Sequence, residues 1–365
     1  MRSFPPPPGR DRRRRIVARL LVWYRAHARD LPWRRTRDPY AIWISEAMLQ
    51  QTRVEAVVDY WRAFLRRFPT VQALAGASED EVLAAWSGLG YYRRARALHA
   101  AARAIVAEHG GRFPRERPAA LALPGVGPYT AGAVLSIAYD RPTPLVDGNV
   151  ERVFSRLFGL DARSGSGALT RETWSLAALL VPRAGGAGEW NQALMELGAV
   201  VCTPRAPLCA DCPVRRSCAA RRTGRVEHLP RPRHREPPVD VKLEMLSAVR
   251  GGRRVLEQRP DTGRMAGMWQ LPTVEGPGPE GRHTGLFPSA WPAGAQVEPG
   301  GELFDLRHGI TRHRIRATVR GARVRRTPPA WRWVEPRALA GLALTGLTRK
   351  ALSRLQPSAP AADRR

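Results

Sequence analysis

Two carboxylates and four thiols have surroundings that could do chemistry in this 365-residue chain. Glu46 lies in an otherwise apolar, helix-like run beside Trp43, Ile44 and Met48. Burial there would raise its pKa and keep it protonated, ready to act as a general acid. The plainer alternative is a surface glutamate on an amphipathic helix. Asp147 sits in Leu145-Val146-Asp147-Gly148-Asn149-Val150, ahead of Val153, Phe154 and Leu157 at helical spacing. That places it at a helix start, where the helix dipole favours a charged carboxylate; a simple N-cap reads the same way. One protonated and one ionised carboxyl could divide proton donation and charge stabilisation between them.

The cysteines all fall in one stretch, Cys202, Cys209, Cys212 and Cys218, spaced C-x6-C-x2-C-x5-C. Four thiolates suit zinc. Zinc sites usually set two close pairs at a distance, however, and a single tight loop of four can instead wrap a [4Fe–4S] cluster. The spacing favours iron–sulfur and leaves zinc open. Disulfides are not expected in a chain with no export signal at its start. Arg205, Arg215 and Arg216 surround the loop with positive charge suited to phosphate. A second phosphate-binding candidate is Leu123-Pro124-Gly125-Val126-Gly127-Pro128-Tyr129. Its glycines allow a tight turn with positive φ, and Pro128 can open a helix. Exposed amides at such a turn bind phosphate without reading sequence. An ordinary helix–helix turn is the rival.

The elements that must position these groups are helical from Ile16 to about Ala220, with segments such as Glu79–Trp86 and Arg93–His109 between short turns. Ser78 and Glu81 read as a capping box. Residues 1–15 read as a disordered basic tail and 221–240 as a proline-rich linker. Short strands follow, in 241–249, 254–257 and 314–319, giving a smaller α+β domain over 241–354 and a tail over 355–365. Hydrophobic residues make up 43%, enough for packed cores. The net charge of +28 favours a polyanionic partner. No apolar run reaches the ~18 residues of a membrane span, so no membrane role is expected. Only Lys242 and Lys350 are lysines, so Schiff-base chemistry is excluded from the first 241 residues.

Several segments together resemble the helix–hairpin–helix (HhH-GPD) DNA glycosylases, and more closely the MutY-type adenine-DNA glycosylases. They are Leu31-Pro32-Trp33-Arg34, the run from Trp43 to Val54 with Met48-Leu49-Gln50-Gln51-Thr52, Gly88-Leu89-Gly90-Tyr91-Tyr92, the hairpin within 121–132, the Asp147 segment, Asn191 to Ala199 and the cysteine loop 202–218. The resemblance implies a mainly α fold: a two-lobed helical domain with an iron–sulfur loop, then a Nudix-like α+β domain opening near Arg259-Pro260 and Gly267-Met268-Trp269. No glutamate set of the Nudix hydrolases follows, so lesion recognition rather than phosphohydrolysis is expected there.

By resemblance, Glu46 protonates adenine and handles water, and Asp147 steadies the sugar cation. Tyr129 stands where bifunctional relatives carry a lysine, and Asn149 orients Asp147 or a phosphate. The product would be an abasic site. Gln51, Thr52, Tyr91, Leu123, Gly125, Val126 and Gly127 would meet DNA, and Arg29, Trp33 and Gln192 would line an adenine pocket, although Trp33 also suits a core. In His308-Gly309-Ile310-Thr311-Arg312-His313 the family's Phe-Ser-His lesion signature is altered, leaving Thr311, Arg312 and His313 as candidates. The implied partner is duplex DNA with A:8-oxoguanine or A:G mispairs, bound by a monomer in the cytoplasm at the nucleoid. The rivals are a thymine-specific G:T mismatch glycosylase, a non-catalytic iron–sulfur DNA-binding protein and a Nudix-type hydrolase.

Overall fold

The computed structural model describes residues 4–234, 236–277 and 283–355. In chain order the helices are α1 (Arg10–His27), α2 (Pro39–Leu49), α3 (Val54–Arg67), α4 (Val71–Gly76), α5 (Glu79–Trp86), α6 (Arg93–Glu108) and α7 (Arg117–Ala122). They continue with α8 (Pro128–Tyr139), α9 (Gly148–Phe158), α10 (Gly167–Leu180), α11 (Ala187–Val200), α12 (Ala219–Arg222) and, after the strands, α13 (Gly346–Leu355). The strands are β1 (Val239–Ser247), β2 (Val249–Arg250), β3 (Arg253–Gln258), β4 (Trp269–Gln270), β5 (Thr273–Glu275), β6 (Gln296–Ile310), β7 (His313–Arg326) and β8 (Trp331–Val334). The chain divides into two units: Met1–Gly76 with Ala97–His234, and Ala77–Arg96 with Arg235–Arg365.

The first unit is helical and centred on α2. Every residue from Tyr40 to Met48 is buried, so this helix is enclosed on all sides and is a core element, with Ser45 and Glu46 its polar members. Asp38 starts it by accepting from the amides of Tyr40 and Ala41, at 3.0 and 3.4 Å. α2 packs on α8, which packs on α11, and α11 also packs on α9 and α1.

Two expected boundaries change in this unit. Residues 10–15 are not a loose tail but the first turns of α1. Arginine is a good helix former, and Asp11 in the first turn complements the dipole. Arg12 is also pinned, donating to Ser217 O at 2.8 Å and stacking over Phe158 at 5.4 Å. Nor is 221–234 a linker. Leu229 is buried, Arg231 exchanges backbone bonds with Ala162 and Ser164, and Asp161 pairs with Arg225 and Arg231.

The second unit holds a mixed four-stranded sheet in the order β5-β1-β7-β6, with β1 and β7 parallel. A smaller sheet of β2, β3 and β4 carries β8 beside β3. The strand expectations hold within a residue or two at their starts. Ala77–Arg96 groups with this unit instead of the helical domain. Its polar groups are satisfied there: Ser87 Oγ and Tyr92 Oη donate to Leu344 O, and Arg96 donates to Ala266 O at 2.6 Å. The capping box forms as read, Ser78 and Glu81 exchanging bonds of 3.0 and 3.3 Å. Of the expected end segments, 1–3 and 356–365 lie outside the described residues.

Candidate active site

One cavity of about 210 Å³ in the helical unit gathers most of the catalytic and pocket candidates. Glu46, Tyr129, Asp147, Asn149, Arg29, Trp33, Gln192 and Thr52 all line it, as do Arg34, Met195 and Glu196. The volume lies below the roughly 300–1,000 Å³ of drug-sized sites, which suits a single base-sized group.

Glu46 is 4% exposed on α2, so the surface alternative fails. Tyr129, in the first turn of α8, donates its hydroxyl to Glu46 Oε2 at 2.6 Å and sits 3.4 Å from Met195 Sδ. Burial pushes the Glu46 pKa from 4.5 up to about 7. Asp147 pushes the same way, while the Tyr129 hydroxyl and Arg34 pull back. A carboxyl poised there exchanges a proton near neutrality. The Tyr129 phenol is held protonated, its pKa raised well above 10.0 by burial and then by the two carboxylates.

Asp147 caps a helix and also lines the cavity. Its Oδ1 accepts from Val150 N at 2.7 Å, opening α9, and its Oδ2 accepts from Asn149 Nδ2 at 3.0 Å. Asn149 thus holds the carboxylate, one of the two roles the resemblance offered it. Burial raises the Asp147 pKa from 3.8, against the pull of the helix start, and the bonds from Val150 and Asn149 offset this in part. Desolvation outweighs the dipole here. Arg152 extends the arrangement, donating to Asn149 Oδ1 at 2.7 Å and to Cys202 O at 2.8 Å. Gly198 lets α11 approach this point, since a Cβ there would stand 2.6 Å from Asn149 Cβ.

The pocket wall contains an ion cluster that sequence reasoning passed over. Glu196 on α11 is fully buried and accepts from Arg29 N, Nε and Nη2 at 3.0, 2.8 and 2.9 Å and from Arg34 Nη2 at 2.7 Å. Burial alone would raise its pKa; the two guanidiniums prevail and hold it at about 2. A carboxylate inside the apolar run Ala193–Leu197 was the available signal, the same one that marked Glu46. Trp33 is buried edge-on to Trp61 at 6.0 Å, so it serves core and wall together.

Of the DNA-facing candidates, Thr52 lines the cavity and the others lie elsewhere. Gln51, just past the end of α2, and the exposed Tyr91 both adopt left-handed backbone, φ 60° and 51°. Non-glycine residues rarely do so, and such strain clusters at functional sites. In the turn between α7 and α8, Leu123 and Val126 are buried, which leaves the backbone as the surface on offer. Gly125 has φ +72°, and a Cβ on it would meet Ala97 Cβ at 2.5 Å. Gly125→Ala should therefore distort the turn and weaken binding of duplexes of every sequence alike. Filter binding at fixed salt checks this; an unchanged Kd would exclude the turn from the interface.

The four cysteines line a second cavity of about 30 Å³ together with Arg156, Arg215 and Arg221. Burial pushes the Cys212 thiol up to about 12, with the other three cysteines adding to the shift. Among the described residues no three His, Cys, Asp or Glu side chains converge to hold one metal ion. In the second unit, Thr311 and Arg312 form the two-residue tip between β6 and β7, Thr311 with φ 52°. The Thr311 hydroxyl donates to Ile310 O at 2.7 Å, Arg312 pairs with Glu236, and His313 is buried with Nδ1 3.1 Å from Arg264 Nη1. The buried acids Glu257 and Glu275 are engaged by Gln270, Thr273 and Trp331, and by the amides of Thr284, Leu286 and Phe287, respectively.

Residues 44–178, spanning Glu46, the turn and Asp147, match the model of the HhH-GPD superfamily base excision DNA repair proteins. A solved thermostable thymine-DNA glycosylase is 33% identical and superimposes with a TM-score of 0.53, over 58% of this chain and 98% of that one. The chain belongs to the HhH-GPD superfamily. Among other relatives of this superfamily member, the human adenine DNA glycosylase is 40% identical over 70% of this chain and 56% of its own length. That of Mycolicibacterium smegmatis is 46% identical over 53% of this chain and 66% of its own. The chain thus spans less than two thirds of these relatives. Residues 245–354 match a NUDIX domain model.

Proposed function

We propose that this HhH-GPD chain binds duplex DNA and hydrolyses the N-glycosidic bond of adenine mispaired with 8-oxoguanine or guanine, as a monomer acting at the nucleoid. The observation that carries it is the pairing of a buried Glu46, hydrogen-bonded to Tyr129, with Asp147 across one base-sized cavity. The target base must leave the stack, which costs a few kcal/mol. A neutral Glu46 carboxyl then hands its proton to a ring nitrogen, making adenine a better leaving group. The Asp147 carboxylate, held by Asn149 and Val150, steadies the positive charge that grows on the sugar, until a water adds to the sugar carbon and gives its proton to the Glu46 carboxylate. Tyr129 orients Glu46. A phenol forms no imine, and the first 241 residues contain no lysine, so the product is an abasic site with an unbroken strand.

The NUDIX-like domain would read the opposite base through Thr311 and Arg312, while His313, buried against Arg264, would brace the tip. The cysteine loop would hold a [4Fe–4S] cluster through Cys202, Cys209, Cys212 and Cys218. Four donors ringing one cavity suit a cluster better than a single ion. When bound, such a cluster fixes the loop covalently at four points. The purified chain should show a broad visible absorbance that falls by well over half in Cys209→Ser; zinc by elemental analysis with no colour would overturn the assignment.

A second reading is thymine excision from G:T mispairs, favoured by the 33% identity to a thymine-DNA glycosylase. One assay decides: base release from duplexes with A or T opposite G or 8-oxoguanine, with strand nicking scored before and after alkali. Release of adenine with alkali-dependent nicking is expected. Release of thymine alone would transfer the chain to the second reading, and release of neither would end both.

A further inference from the structure

The strongest unassigned feature lies in the second unit, along the β6–β7 hairpin. Strand β7 alternates by period two: Ile315, Ala317 and Val319 point into the core, and Arg314, Arg316 and Arg320 take the opposite face. Arg316 stands opposite Arg307 of β6 in the antiparallel register. These two, with Lys350, Ser353 and Arg354 of α13, line an open cavity of about 550 Å³. Four cations meet a single carboxylate there, Asp305. Asp305 is already committed, accepting from Thr318 Oγ1 at 2.7 Å and lying 3.6 Å from Arg316 Nε. The neighbouring cations are braced by backbone instead of acids: Lys350 Nζ reaches Arg307 O at 3.5 Å, and Arg354 Nη1 donates to Asp305 O at 3.0 Å. Among the described residues, Arg307, Lys350 and Arg354 have no carboxylate within ion-pair distance. A solvated salt-bridge face would balance its signs; this one keeps a surplus of three positive charges around one concavity.

We propose that this cavity binds a backbone phosphate of the DNA, as a sequence-independent clamp beside the hairpin tip. The position supports that occupant. Arg307 and Arg316 lie three residue pairs from the tip pair Ile310 and His313, about 10 Å along the strands at ~3.4 Å per residue. A duplex engaged at Thr311 and Arg312 carries a phosphate charge every ~1.7 Å of axis, so one falls within reach. Guanidinium and ammonium groups together supply the donors a phosphodiester takes. This inference rests on the reading of the chain as a DNA-binding protein and adds a contact to it.

The test uses the full chain. Its two lysines, Lys242 and Lys350, make amine acetylation followed by mass spectrometry site-specific. A duplex of mixed sequence should protect Lys350 several-fold. In parallel, the log–log salt dependence of duplex affinity should become shallower by about 1 in Arg307→Gln/Lys350→Gln, at ~0.9 for the one lost phosphate contact. Lys350→Arg, which keeps the charge, should keep the native slope. Arg337→Gln, an exposed arginine paired with Glu335, should leave the slope as it is. Both altered side chains are on the surface, and circular dichroism confirms folding. A native slope in the double variant, or Lys350 acetylated equally with and without duplex, overturns the clamp while duplex binding itself stands. Protection by inorganic phosphate but not by duplex assigns the cavity to a free anion and overturns it likewise. If the native chain binds no duplex, the functional reading and the clamp fall together.

Discussion

Replacing Glu46 by Gln should slow single-turnover release of adenine by about 10²–10⁴-fold, the usual contribution of a general acid, with duplex affinity within a few-fold of native. The amide keeps the shape of the carboxyl, and its oxygen can still accept from Tyr129, so the loss isolates the proton. The pH dependence has a defined sign. With a pKa near 7, the native acid is protonated below neutrality, and the rate falls as pH rises through about 7; the residual rate of Glu46→Gln should lack that limb. Stability moves the same way. A buried carboxyl whose folded pKa lies above its unfolded value of 4.5 weakens the native state as pH climbs from 4.5 to about 7, by about 3 kcal/mol at the order-of-magnitude level. Glu46→Gln should therefore melt at a higher temperature than native protein at pH 8, and show little difference at pH 4. A variant that excises at the native rate, or a native rate flat from pH 5 to 9, removes Glu46 from the chemistry.

What the residues disclosed in advance was local. The apolar run around Glu46 implied burial, and burial fixed its acidity. The capping box at Ser78 and Glu81 set the start of α5, and the alternation in 314–319 set β7. What stayed hidden depends on partners distant in the chain. The arginines of 10–15 look like a tail by composition, yet Arg12 finds Ser217 and Phe158. Ala77–Arg96 reads as one more helical segment, and only the carbonyls of Leu344 and Ala266 draw it into the second unit. The upward pull on the Asp147 pKa stayed hidden because a helix start is visible in a sequence and desolvation by neighbouring helices is not. The hairpin tip shows the same limit: the residues were legible, but the burial of His313 under Arg264 was not.

The cluster around Glu196 carries the largest expected change in stability. Glu196→Ala removes the acceptor of four bonds and strands the Arg29 and Arg34 guanidiniums beside the cavity. Losing one partner of a buried pair costs about 3–5 kcal/mol. Arg29 keeps 36% side-chain exposure and can turn to water, whereas Arg34 keeps 14%, so the lower end of that range is expected. Denaturant unfolding at pH 7 measures it. The pH dependence follows from the depressed pKa: with a folded value near 2 against 4.5 unfolded, the Glu196 contribution is present above pH 4.5 and is lost as pH falls toward 2. Glu196→Gln should therefore flatten acid unfolding over that window. The same change reaches the chemistry. Arg34 already draws the Glu46 pKa down, and an Arg34 released from Glu196 draws it further, so the falling limb of the pH–rate profile should move to lower pH in Glu196→Gln. A merely structural glutamate would lower stability and leave that limb in place.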